Sequence, residues 1–313
     1  MSARRGAVNI VGAGLSGPLL AILLARRGFS VTLSERRDDP RHGASDAGRS
    51  INLALAARGI RALEQAGLMD RVRPLLIPMR GRRVHEPARA PRLLPYGQRE
   101  EEVIYSIGRG ALNRLLIEEA ARHADITLRF AHACAGVPIG RESEAPLTPT
   151  IAADGAGSAV RASLAAQGLI TVREEPLDHD YKELAIPARE GRRSLDPNAL
   201  HIWPRRGFML IALPNTDGSF TSTLFLPREG PVSFAALAPE GAVEGLFASE
   251  LADALPLIPD LAAQFREHPQ SRLGTVHAAP WHVGGAALLL GDAAHAIVPF
   301  HGQGMNAGFE DAV

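Results

Sequence analysis

Apolar positions along this chain fall into short runs whose period changes at glycines. Residues 8–11 form a brief apolar strand that enters Gly12-Ala13-Gly14-Leu15-Ser16-Gly17. Leu19, Ile22 and Leu23 then recur at helical spacing up to Gly28, and a second strand at 31–33 ends on Glu35. Helical spacing returns within residues 48–68, at Ile60, Leu63 and Ala66 before Gly67, and again at Leu112, Leu115, Leu116 and Ala120. Residues 126–130 predict a strand that reaches Cys134, and a short strand ending on Asp154-Gly155 precedes a helix carrying Arg161. Between 164 and 280 the pattern changes: Tyr181 to Pro187, His201 to Arg205 and Phe208 to Phe225 alternate turn signals with β-rich runs, which predicts an antiparallel sheet. Residues 243–265 read as helical, interrupted by Pro256 and Pro259. An apolar strand at 286–290 runs into Gly291-Asp292, followed by Pro299, Gly302, Gly304 and a helix starting near Met305. The polar stretches 36–50 and 138–150 read as loops, the latter interrupted by Pro146 and Pro149.

Strand, G-x-G-x-x-G, helix, strand and acid in one βαβ unit make a dinucleotide-binding fingerprint. Gly12 permits the tight turn, Gly14 lets a pyrophosphate reach the helix N-terminus, and Gly17 permits close helix–strand packing. Glu35 suits ribose hydroxyls and repels a 2′-phosphate. The fingerprint alone does not separate NAD from FAD. Asp292 at a strand end is a helix cap or an acceptor for a polyhydroxylated cofactor chain, and the glycines after it allow a flat ring to approach backbone closely.

Composition narrows the class. The 313 residues are 46% apolar, and 34 basic residues balance 34 acidic ones, so no global charge points to nucleic acid or an anionic membrane. The longest apolar run, 18–25, is far short of a membrane span. The single cysteine, Cys134, forms no internal disulfide and reads as a small apolar residue, which suggests a reducing, cytoplasmic location. No G-x-S-x-G and no metal-ligand spacing among His277, His282, His295 and His301 appears. The difficult chemistry is therefore a cofactor's.

Gly291-Asp292-Ala293-Ala294-His295 with Pro299 and Gly302-x-Gly304-Met305-Asn306 resembles the second flavin signature of the FAD-dependent aromatic hydroxylases. Asp154-Gly155 with Arg161 is similar to their third signature, and GRSINLAL (48–55), HIWPR (201–205) and PFHGQGMN (299–306) resemble the kynurenine monooxygenase family within that group. The resemblance implies an α/β fold: a Rossmann-like FAD-binding domain, residues 1–163 and 281–313, with an inserted antiparallel-sheet substrate domain, residues 164–280. It implies FAD held by Gly12, Gly14, Gly17, Glu35, Arg36, Ala54, Arg109, Cys134, Asp154, Asp292, Gly304, Met305 and Asn306. NADPH and O2 are the implied co-substrates of an aromatic amino acid, whose carboxylate meets Arg82 and Tyr96 while its ring lies near Leu213, Phe225, Phe300 and His301. Read without the resemblance, Arg82 is a solvated arginine and Leu213 is as readily core. The family continues well past the position of Val313, with further Asn and Tyr residues on the carboxylate. Two other readings stand beside this one: a different flavin oxidoreductase on the same scaffold, although a halogenase's W-x-W-x-I is absent, and a flavin-binding fragment without catalysis.

Overall fold

A computed structural model describes residues 5–42, 52–137, 148–188 and 195–313. Two large sheets enclose the functional cavity. The first is six-stranded, in the order His282–Val283, Ala287–Leu289, Thr150–Ala152, Ala7–Val11, Ser30–Ser34, Ile126–Arg129. Its interior strands are parallel, with Val8 opposite Val31 and Ile10 opposite Ile151. The core positions of these strands are apolar: Ile10, Val31, Leu33, Ala152 and Leu289 are fully covered, while Ser30, Thr32 and Ser34 alternate with them and are half-buried. The Ser16–Arg26 helix buries Leu19, Ile22 and Leu23 against the sheet and packs on Arg109–Ala120, so the period-2 and period-3.6 patterns meet in one core.

The second sheet has seven strands, ordered Gln270–Ala279, Thr171–Ile186, Phe220–Pro227, Phe208–Pro214, Leu200–Arg205, Gly81–Val84, Arg92–Pro95. It is antiparallel except where Leu200–Arg205 runs parallel to Gly81–Val84. One face turns toward the first sheet, and the other packs on the helices Ala242–Glu250 and Leu261–Glu267 over Trp203, Phe220, Phe247 and Leu210. The sheet departs from the expected division of the chain, because Gly81–Val84 and Arg92–Pro95 lie outside 164–280 and yet extend it. Their arginine-rich sequence carries no strand alternation; the two pair with each other, and Gly81–Val84 joins the sheet through Leu200–Arg205, more than a hundred residues away.

A small sheet of Asn52–Leu55, Ile104–Gly108 and Ile77–Met79 bridges the two. The helix expected from Ile60, Leu63 and Ala66 is Ala57–Gln65, and Asn52–Leu55 before it is a strand. Antiparallel pairing with Ile104–Gly108 holds that strand. Gly67, at φ +67°, ends the segment as expected. Residues 48–51 of GRSINLAL, 43–50 of the first polar loop and 138–147 of the second lie outside the described residues.

Candidate functional site: a continuous cavity between the two sheets

The carboxyl ends of the parallel strands and the inner face of the antiparallel sheet border one cavity of about 930 Å³. At its first end the Gly12 turn has φ +101°, and a Cβ there would lie 2.4 Å from the Ala153 carbonyl oxygen. Gly17 does not line the cavity; a Cβ on it would meet the Gly12 carbonyl oxygen at 1.9 Å, so its role is packing. Gly14 meets nothing within 4 Å and faces the open space where a pyrophosphate would lie over the start of the Ser16–Arg26 helix. Glu35 accepts from Ala13 N at 2.8 Å, Arg37 N at 3.0 Å and Arg37 Nε at 2.9 Å. Burial alone would raise its pKa, but these bonds hold the carboxyl below the ordinary value. Arg36 and Cys134 line the same end. Sequence reading missed Asn113, whose Nδ2 donates to the carbonyls of Ala13 and Gly14 at 2.9 and 2.5 Å and so fixes the glycine turn. No local signal distinguishes it from any other helical asparagine.

Further along lie Ala54, Arg109, Asp154, Asp292, Gly304 and Met305. Asp292 opens onto the cavity and, among the described residues, makes no hydrogen bond; a Cβ on Gly304 would sit 3.7 Å from its Oδ1. Enclosure by protein pushes the Asp292 carboxyl up, opposed by His295 and Arg109. Asp154 Oδ2 caps the Ala159–Ala166 helix through Ala159 N at 2.8 Å, leaving its buried Oδ1 without a partner. Asn306 was expected to touch the cofactor, but it is fully buried away from the cavity. Its Oδ1 accepts from Ala56 N at 2.9 Å and its Nδ2 donates to Ala54 O at 2.8 Å and Gly302 O at 3.2 Å. Both amide hydrogens are spent inside the protein, and the side chain clasps the Asn52–Leu55 strand to the glycine loop. Asn306→Ala strands the Ala56 and Ala54 groups and should cost about 2–5 kcal/mol in a urea or thermal melt.

The turn bearing Asp292 is fastened from behind. Asp311 Oδ2 accepts from Gly291 N at 2.9 Å and lies 2.7 Å from His295 Nε2. The bond to Asp311 raises the pKa of His295 against the opposing effect of burial. A raised histidine contributes stability that is complete below its unfolded value and is lost as pH rises through the folded one. Cofactor retention should therefore fall about two- to fivefold above the ordinary imidazole range, and Asp311→Asn should flatten that dependence in a flavin-release assay.

At the far end the Arg82 guanidinium sits 5.4 Å from the Tyr96 ring centroid. Among the described residues no carboxylate pairs with Arg82, although Arg83 next to it is bridged to Asp196 at 2.7 Å. Burial pushes the Tyr96 phenol up against the pull of Arg82, so Tyr96 remains a neutral donor. Leu213, Phe225, Phe300 and His301 line the wall between Arg82 and the glycine loop. Phe225 and Phe300 meet edge-to-face at 5.3 Å between centroids, leaving an apolar slot for a flat ring.

These features suit FAD, although Gly17 and Asn306 do not line the cavity. The pyrophosphate end has a glycine that a side chain would fill, the middle has an unbonded carboxylate facing the cavity, and the glycine loop leaves room for a ring. The family described as FAD binding domain matches residues 5–313, and the chain belongs to it. The fold is that of 2-methyl-3-hydroxypyridine-5-carboxylic acid oxygenase, with a TM-score of 0.75 at 19% identity over 98% of this chain and 80% of that one. It is also that of Pseudomonas aeruginosa PqsL, crystallised with 2-aminobenzoylacetate, with a TM-score of 0.75 at 21% identity over 98% and 83%. Fold and site thus define a flavin-dependent monooxygenase. The chain is 49% identical to kynurenine 3-monooxygenase of Stenotrophomonas maltophilia over 98% of its length and 70% of that protein's. It is 47% identical to the Myxococcus xanthus enzyme over 99% and 70%. It belongs to the kynurenine 3-monooxygenase family. Among the described residues no helix is long and apolar enough to cross a membrane.

Proposed function

We propose that this chain hydroxylates L-kynurenine to 3-hydroxy-L-kynurenine, taking electrons from NADPH and one oxygen atom from O2, the other leaving as water. Bound FAD supplies the electron transfer and the oxygen activation. The protein's own residues position and enclose. Arg82 presents a planar fork to the substrate carboxylate, and Tyr96 adds a phenolic donor. Leu213, Phe225 and Phe300 hold the aminophenyl ring in the apolar slot beside the glycine loop, excluding water from the reacting face. Glu35, bound by Arg37 and Ala13, disfavours a 2′-phosphate at the one βαβ fingerprint, so NADPH acts transiently and has no fingerprint of its own. The cytoplasmic location suggested by the single cysteine belongs to this same reading.

The observation that carries this reading is an arginine unpaired by any described carboxylate, placed across an apolar slot from the flavin loop of the same cavity. The test is NADPH oxidation by the FAD-loaded protein with and without L-kynurenine, with chromatography of the product. Stimulated oxidation and 3-hydroxykynurenine are expected. Unstimulated protein with tightly held flavin would instead support the reading of a flavin-binding fragment without catalysis.

A further inference from the structure

The segment His201-Ile202-Trp203-Pro204-Arg205 is used by the cavity only in part. Leu200 and Ile202 face the cavity, while His201 and Trp203 are buried on the other face, 1% and 0% exposed. The neighbouring strand alternates in step: Arg82 faces the cavity, and Arg83 and His85 lie behind it. That strand is second from the sheet edge, its outer neighbour Arg92–Pro95 is exposed throughout, and its parallel register with the interior covers only Leu200↔Arg82, His201↔Arg83 and Ile202↔Val84. What holds Arg82 in place is therefore largely behind it.

A closed set of contacts lies there. Arg83 pairs with Asp196, and Arg205 Nη1 donates to His85 O at 2.9 Å. His201 Nε2 lies 2.9 Å from Asp196 O, His201 Nδ1 2.9 Å from His85 Nε2, and His85 Nδ1 3.2 Å from Asp253 Oδ2. Trp203 Nε1 donates to the same Asp253 oxygen at 2.8 Å, and the His85 ring stacks on Trp203 at 4.1 Å. Counting protons assigns the chain. Asp196 O only accepts, so His201 Nε2 carries a hydrogen; burial lowers His201 to about 4, so its ring is neutral and Nδ1 accepts from His85 Nε2–H. A neutral His85 then turns a lone pair toward the Asp253 carboxylate, whereas a protonated His85 donates to it.

We propose that His85 and His201, which touch neither substrate nor cofactor, are positioning residues for the strand that carries Arg82, and that their chain closes onto Asp253 only when His85 takes up a proton. The inference rests on the assignment of Arg82 as carboxylate anchor. The groups facing His85 are His201, Asp253, Arg83 and Arg205. Burial, Arg83 and Arg205 lower its pKa while Asp253 pulls it up, and the balance is downward. Proton uptake therefore falls on the acid side of the ordinary histidine range, and kynurenine should bind more tightly as pH falls through it.

The experiment measures kynurenine affinity of the FAD-loaded protein from about pH 7.5 to about 5.5, together with kcat, FAD content and the affinity of a decarboxylated analogue. Asp253→Asn, at a side chain 52% exposed, and His85→Gln, which keeps a donor toward His201, are the variants. Each should flatten the pH dependence and raise KM about three- to tenfold at the acid end, with kcat, flavin and analogue binding unchanged. A second readout needs no substrate: in a Trp281→Phe protein, whose remaining tryptophan is Trp203, acidification should quench fluorescence through stacked imidazolium, and His85→Gln should abolish the quenching. Variants that keep the wild-type pH profile, or that weaken the analogue equally, overturn the proposal while leaving the anchor assignment standing. If Arg82→Ala itself leaves kynurenine binding unchanged, the anchor assignment fails, and this proposal fails with it.

Discussion

Arg82→Ala is expected to weaken kynurenine binding roughly ten- to a hundredfold while FAD content stays at the wild-type level. Removing a charge-assisted partner costs about 1.5–3 kcal/mol, which is that range in affinity. The Arg82 guanidinium lies against the Tyr96 ring, and among the described residues no carboxylate pairs with it, so the substitution strands no described buried carboxylate. Arg82→Lys should recover only part, because a point charge replaces a planar fork. The control is a decarboxylated analogue, which should bind both proteins alike. An Arg82→Ala protein that sheds flavin, or loses the analogue as severely as kynurenine, would make Arg82 structural and remove the anchor from the substrate assignment.

The parts of this molecule legible in its sequence are those with local causes. The βαβ fingerprint is legible because strand, glycine turn, helix, strand and acid follow one another within about thirty residues, with Gly17 packed against the Gly12 carbonyl inside the same unit. The Asp292 turn is legible because strand, acid and glycine loop follow within a few residues. What escapes is non-local. Gly81–Val84 joins the seven-stranded sheet through Leu200–Arg205, and nothing in GRRV announces a strand. Asn113 reaches the fingerprint from a helix about a hundred residues on. Asn306 sits in the flavin signature, and its motif position suggests cofactor contact; only its burial and its bonds to Ala56 and Ala54 show a clasp. His85 and His201 meet across two strands, so neither predicts the other.

Gly14 separates cofactor binding from folding better than any other position in the fingerprint. At Gly12 a Cβ would press on the Ala153 carbonyl at a φ of +101°, and at Gly17 it would overlap the Gly12 carbonyl. Substitution at either damages the fold, and loss of flavin there would be ambiguous. Gly14 has no positive φ, and its missing Cβ would point into space free of protein within 4 Å. The apoprotein of Gly14→Leu should therefore melt within about 0.5 kcal/mol of wild type, as surface substitutions do. The holoprotein should not form, because the leucine occupies the approach of the pyrophosphate to the helix start and the backbone donors there. Losing two charge-assisted bonds of roughly 1.5–3 kcal/mol each amounts to on the order of a hundredfold or more in FAD affinity. Flavin fluorescence titration of the two apoproteins, read beside their thermal melts, measures both quantities. Equal FAD affinity with an unchanged melt would place the pyrophosphate elsewhere in the cavity, and the assignment of its two ends to cofactor and substrate would have to be reversed.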